Sequence, residues 1–252
     1  MTALPASPPP DAQQGWGIAI EQASLGHFSP LRHALVTVPA FLEDPENVIA
    51  QAVLQDFANI TPQYPGVRAA LDPAVCEAWL AILGPGLDVW FGSKRGGAPR
   101  EWEMQAWYSL VTTPPAELAP IQRLPHVDGT DPAQVAMMLY LHSAGPHSKH
   151  GGTAFFRHLS TGLESLTAQD YPRYAAAVQA DVARTGLPPA AYTADGAPHF
   201  ARTHAVPGHF NEAVFYRGNI LHSGVIDNTA PLSADPRTGR LTINAFFRPA
   251  AA

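Results

Sequence analysis

Breaks come too often in the second half of this chain for long elements to form there. Asp131-Pro132, Gly145-Pro146, Gly151-Gly152, Pro207-Gly208, Arg217-Gly218 and Thr238-Gly239 are turn-forming pairs, and the stretches between them leave room for short strands. Strands are expected at Met104–Thr113, Ile121–Asp128, Val135–His142, Thr153–Phe156, Ala213–Tyr216, Ile220–Ile226 and Leu241–Phe247, where aromatic and β-branched residues concentrate. Seven short strands predict a mainly β (α+β) fold, a sandwich or a jelly roll (double-stranded β-helix), of which the jelly roll with N-terminal helices is the better fit. The 26 prolines argue against a helical bundle.

Helices are expected only as additions. Asp44-Pro45 caps an amphipathic stretch through Val48, Ala52 and Phe57. A second helix should follow Asp72-Pro73 and stop near Leu83, at Gly84-Pro85. The segment from Gly162 to Ala183 interrupts the strands and turns helical in its second half. Residues 1–17 form a Pro-rich lead-in. Residues 18–252 are expected to make one domain, with a helical part at 36–100 and a β core at 103–249.

Composition narrows the function. Net charge is −6, 13 of the 15 basic residues are arginine, and no basic stripe appears, which excludes a nucleic-acid footprint. A single cysteine, Cys76, excludes a disulfide framework and Cys-rich zinc modules. The longest apolar run, Val135 to Leu141, is too short to span a bilayer. The start has neither a basic head nor an apolar h-region, so a cytoplasmic location and no membrane partner are expected. Nine of the 11 histidines fall between His126 and His222, which raises the question of a metal.

In LPHVDG, His126 and Asp128 sit two apart at the end of an expected strand, where both side chains take the same face. The pair alone is weak. Eleven histidines and 12 aspartates supply roughly half of such a pair by chance, and a turn aspartate beside a surface histidine is the plainer account. His222, in AVFYRGNILHSGVI, taken singly reads better as a buried histidine bonded to a carbonyl. Together, two histidines and one carboxylate make the facial triad of non-haem Fe(II), with positions left open. In TGRLTINAFF, Arg240 and Thr242 share one strand face, which suits a dicarboxylate.

An HxD pair, a distal histidine and an Arg-x-Thr in that order resemble the Fe(II)/2-oxoglutarate-dependent dioxygenase superfamily. MMLYLH (137–142) and GGTAFF (151–156) resemble strands of its prolyl-hydroxylase-like branch, and VPAFLEDPENV its entry segment. The resemblance covers Val36 to Pro249. It implies Fe(II) held by His126, Asp128 and His222, with 2-oxoglutarate and O2 as co-substrates. Arg240 would take the distal carboxylate, helped by Thr242 and Tyr140, although a core aromatic with a satisfied hydroxyl is an equally good reading of Tyr140; Tyr108 is a weaker candidate that reads better as core. The implied reaction hydroxylates a C–H of a peptidyl or small-molecule substrate and releases succinate and CO2; retention of Asp128 favours hydroxylation over halogenation. Eighteen positions separate His222 from Arg240 where relatives commonly use around ten, which leaves Arg248 as an outside alternative. The long insertion between Arg157 and His209 is placed to cover the pocket mouth.

Other readings stay open. One is a non-catalytic jelly-roll binding module or inactive relative. Another is a zinc site at His142, His147 and His150, although that His-rich loop reads better as a solvated rim. Trp102, Trp107, Phe155, Phe156, Phe215, Phe246 and Phe247 read mostly as core, and Arg123 and Arg157 as solvated surface. His199, His204 and His209 recur every five residues in a loop-like stretch without an evident purpose. Cys76 has no partner motif. Oligomeric state is not encoded legibly, and a homodimer stays open.

Overall fold

The computed structural model describes residues 15–92, 100–142, 151–193 and 197–250. Ten strands and three α-helices alternate unevenly along them. β1 (Ser24–Phe28) and β2 (His33–Val38) precede α1 (Pro45–Ala52), β3 (Gly66–Ala70) and α2 (Pro73–Phe91). Then follow β4 (Trp102–Val111), β5 (Val135–Tyr140), β6 (Thr153–His158), α3 (Tyr171–Thr185), β7 (Phe200–Val206), β8 (Glu212–Arg217), β9 (His222–Gly224) and β10 (Leu241–Pro249). The strands form two antiparallel sheets, one of seven in the order β1-β2-β8-β5-β10-β4-β3 and one of three in the order β7-β6-β9.

Register decides which side chains meet. Arg68, Ser109, Thr242 and Tyr140 stand opposite one another across β3, β4, β10 and β5. Two rows away on the same face come Trp107, Asn244, Met138 and Val214. The intervening row of Ala69, Tyr108, Ile243, Leu139 and Ala213 takes the other face, because side chains alternate along a strand. That second face builds the largest core, roofed by Val48 and Ala52 of α1 and by Trp79, Leu83, Leu87 and Phe91 of α2. A smaller core of Leu35, Ala136, Val214 and Phe155 lies between the two sheets. The outer face of the small sheet (Ala154, Phe156) packs against Tyr174 and Val178 of α3.

Several expectations need correcting. α1 is capped as anticipated, the Asp44 carboxylate accepting from the Asn47 amide at 3.1 Å, but it ends at Ala52, short of Phe57. α2 does not stop at Gly84-Pro85; it continues to Phe91. An internal proline costs about 3 kcal/mol. Continuing buries Leu87 and Phe91, at 0% and 3% exposure, and each contributes about 1.5–3 kcal/mol. Gly84 also lacks the Cβ that would clash with the proline ring. By length and composition α2 is apolar enough to cross a membrane, yet its buried face is spent on the sheet core. Ile121–Asp128 is not a strand: residues Pro120–Arg123 form a 3-10 turn, and only His126 pairs, with His222. The stretch around His204, expected as loop, is β7.

Candidate metal centre

His126 and His222 are joined by reciprocal backbone hydrogen bonds of 2.9 Å, and the Asp128 amide donates to the Gly218 carbonyl at 2.8 Å. These bonds fasten the segment after the 3-10 turn to β9 and to the β8–β9 turn. One ligand atom from each of His126, Asp128 and His222 falls within 4.8 Å of the other two. His222 Nε2 lies 3.5 Å from Asp128 Oδ2, and His126 Nε2 lies 4.0 Å from Asp128 Oδ1.

The cluster has unspent bonding capacity. Asp128 Oδ2 is buried and has no hydrogen-bond partner. Such an atom is costly unless something binds it. Burial accordingly pushes the Asp128 carboxyl above its usual range, against the pull of His222 and Arg68. His222 is 5% exposed and its Nδ1 faces the Ile220 carbonyl at 2.8 Å, which fixes the tautomer and leaves the Nε2 lone pair free for a metal. His126 opens onto the cavity, with half of its side-chain surface accessible. Desolvation, with His222 and Arg68 adding to it, holds His126 below its ordinary pKa and so in the neutral, ligating form. A two-nitrogen, one-carboxylate set without thiolate suits a divalent first-row ion. The donor set fits a metal.

A cavity of about 730 Å³ opens beside these three residues. Arg240 lies in its wall, 2% exposed, its Nη2 donating to the carbonyls of Gly151 (3.2 Å) and Gly152 (2.9 Å). Gly152 has to be glycine, because a Cβ there would run into the Val206 carbonyl and the Gly208 backbone. No carboxylate pairs with Arg240 among the described residues, although burial lowers its pKa and the nearby hydroxyls of Tyr140, Tyr64, Tyr192 and Tyr216 partly restore it. Tyr140 is fully buried, bonded through its hydroxyl to Thr153 Oγ1 at 2.8 Å, with Arg240 6.0 Å from its ring; burial pushes its pKa up to about 12. Thr242 shares that face but spends its hydroxyl on Asn244 Oδ1 at 2.8 Å.

Other residues singled out from the sequence sit elsewhere. Tyr108 is on the core face, in contact with Trp16 and Phe57, so it cannot reach the cavity; one position along a strand reverses the side. Of the seven aromatics, Trp107 and Phe246 line the cavity and the rest are core. Arg123 bonds to the Leu118 and Pro188 carbonyls, and Arg157 pairs with Glu164. Arg248 lines the cavity near Gln134. His142 is buried at 4%, not on a solvated rim, while His147 and His150 lie outside the described residues. His199 bonds Thr185 on α3, His204 stacks on Phe28, and His209 is exposed. Cys76 is core. Sequence reading missed Tyr64, Arg68, Tyr192 and Asn244 in the cavity wall. Asn244 was recoverable by extending the alternation from Arg240 and Thr242; a lone arginine inside the apolar run GVRAA was the signal for Arg68.

A family model described as a family of unknown function (DUF6445) matches residues 22–247. Among solved structures, the chain is similar to a prolyl-4-hydroxylase from Pseudomonas putida at 15% identity and a TM-score of 0.45, over 87% of this chain and 94% of that one. It is also similar to HygX from Streptomyces hygroscopicus, with nickel and 2-oxoglutarate bound, at 11% identity and a TM-score of 0.47, over 86% of this chain and 83% of that one. A prolyl hydroxylase from Trichoplax adhaerens, in complex with a hypoxia-inducible-factor peptide fragment, matches at 11% identity and a TM-score of 0.43, over 85% and 83%. No curated protein matches in sequence.

Proposed function

The chain belongs to DUF6445, a family of unknown function, and from that footing we propose that it is an Fe(II)/2-oxoglutarate-dependent oxygenase that hydroxylates a C–H bond. The observation that carries this reading is the convergence of His126, Asp128 and His222 around a buried carboxylate oxygen with no partner, beside a cavity holding a buried arginine. On this reading the two facing sheets are the halves of one jelly roll, and residues 18–252 act as a single domain.

His126, Asp128 and His222 would hold the iron. When bound, iron with 2-oxoglutarate and O2 supplies the oxidising equivalent, releasing succinate and CO2. The chain does the rest. The Ile220 carbonyl keeps His222 in its ligating tautomer. Arg240, held by the Gly151 and Gly152 carbonyls, offers its remaining N–H donors to the distal carboxylate of the oxoacid. Tyr140, its hydroxyl tied to Thr153, sets its ring 6.0 Å from the same guanidinium. Tyr171, Tyr174 and Val178 of α3 add an apolar and aromatic stretch to the cavity wall.

The test is anaerobic titration with Fe(II) and 2-oxoglutarate. A weak visible charge-transfer band should appear in the wild type and vanish in His126→Ala. Absence of the band in a wild-type protein that binds neither component would sink the assignment.

A further inference from the structure

Arg68 is the cation that this chemistry leaves unused. Its backbone is locked on both sides, pairing with Ser109 on β4 and exchanging hydrogen bonds of 2.8 and 3.0 Å with Ala58. The side chain therefore cannot leave the cavity face. Its guanidinium lies 4.0 Å over the ring of Tyr64 and 6.0 Å from that of Trp107. Its Nε is buried without a hydrogen-bond partner, and it makes no ion pair among the described residues. A stacked, flat guanidinium keeps its outer N–H edge free for a planar anion.

Charge points the same way. Among the described residues lining the cavity, Arg68, Arg240 and Arg248 face a single carboxylate, Asp128. A divalent ion and a dianionic oxoacid cancel one another, so two positive charges stay unanswered once both are in place. The aromatic walls next to Arg68, Tyr64 and Trp107, suit an apolar body attached to the anion. A cavity of about 730 Å³ is the size of a small-molecule site.

Resting on the oxygenase reading, we propose that Arg68 receives the carboxylate of the substrate, a small molecule carrying one carboxylate and an aromatic or aliphatic body. Arg68 thus sets both specificity and the placement of the C–H beside His126 and Asp128.

Binding of matched probe pairs tests it without turnover. Benzoate and benzamide, phenylacetate and phenylacetamide, and hydrocinnamate and hydrocinnamamide are titrated calorimetrically into anaerobic protein loaded with Co(II) and 2-oxoglutarate. At least one acid should bind about tenfold or more tightly than its amide. Arg68→Gln should erase that preference, and Arg68→Lys should restore part of it. Arg68→Gln should still bind Co(II) and should keep its 2-oxoglutarate affinity, which also reports that the variant is folded. Equal affinity for every acid and amide, or an acid preference that survives Arg68→Gln, would overturn the proposal. So would loss of 2-oxoglutarate affinity in Arg68→Gln alone, since Arg68 would then serve the oxoacid. Failure of wild-type protein to bind Co(II) or 2-oxoglutarate would instead count against the oxygenase reading beneath it.

Discussion

Two clusters in this protein are built from the same parts, two histidines and one aspartate, and behave as opposites. His126, Asp128 and His222 converge at one end of the cavity. His158, Asp181 and His199 meet where α3 lies on the small sheet. In the second cluster the Asp181 carboxylate is saturated: Ser160 donates at 2.5 Å and Arg184 at 2.7 Å, and the ring of His158 lies at 3.2 Å. His158 and His199 each engage a threonine with the other ring nitrogen, Thr161 at 2.9 Å and Thr185 at 2.7 Å. In the first cluster one carboxylate oxygen is bonded to nothing. Residue type does not distinguish a metal centre from a structural clasp. Unspent lone pairs do, because a buried acceptor without a donor is costly until a ligand, ion or water compensates it.

The largest effects should separate the clusters outright. Asp128→Ala should weaken Co(II) binding by about a hundredfold or more in an anaerobic titration, whereas Asp181→Asn should leave it unchanged. Stability should move the other way. Because burial raises the Asp128 carboxyl, its charge opposes folding at neutral pH, so Asp128→Asn should raise the melting temperature of metal-free protein. A metal affinity indifferent to Asp128 would erase the contrast.

Next in size is the clasp itself. Asp181→Asn should lower the melting temperature, since it removes the charged acceptor shared by Ser160, Arg184 and the buried ring of His158. The pH dependence follows from two depressed groups. Hydrogen bonds from Ser160 and Arg184 hold Asp181 at about 2, so its contribution is complete above the unfolded value of 3.8 and disappears as pH falls toward 2. Burial lowers His158 below 6.5 despite Asp181, so the unfolded chain protonates first and stability falls as pH drops through 6.5. Thermal melts of metal-free protein from pH 7.5 to 5 should therefore lose more midpoint, or gain less, in the wild type than in His158→Gln. Identical slopes in the two proteins would contradict the assignment.

The smallest effect tests strand parity. Tyr140→Phe removes the hydroxyl beside Arg240 and should weaken 2-oxoglutarate binding by about fivefold, the equivalent of about 1 kcal/mol. Tyr108→Phe, on the core face, should leave that affinity unchanged. Equal losses would mean that the oxoacid is held elsewhere.

Legibility in the sequence followed burial and local geometry. β5, β8 and β10 lie inside the large sheet, and their dense apolar runs were readable directly. β1 and β7 are edge strands whose inner positions are exposed or half-buried and mix polar with small residues, so neither gave an alternating signal. α2 overran its proline because burial of Leu87 and Phe91, a tertiary gain, outweighed a local penalty. Tyr108 reads better as core than as a ligand for the oxoacid, and its register with Ile243 puts it there, on the face away from the cavity.

The order His126, Asp128, His222, Arg240 is written in the chain, and with it the kind of ion and anion the residues can hold, since donor chemistry belongs to side chains alone. Which histidine–aspartate cluster stays unsatisfied, which tyrosine meets Arg240, and that Arg68 arrives from an edge strand at the same cavity were decided by folding. Those outcomes depend on distances between residues tens of positions apart, fixed only once the strands are in register and the core has closed behind them.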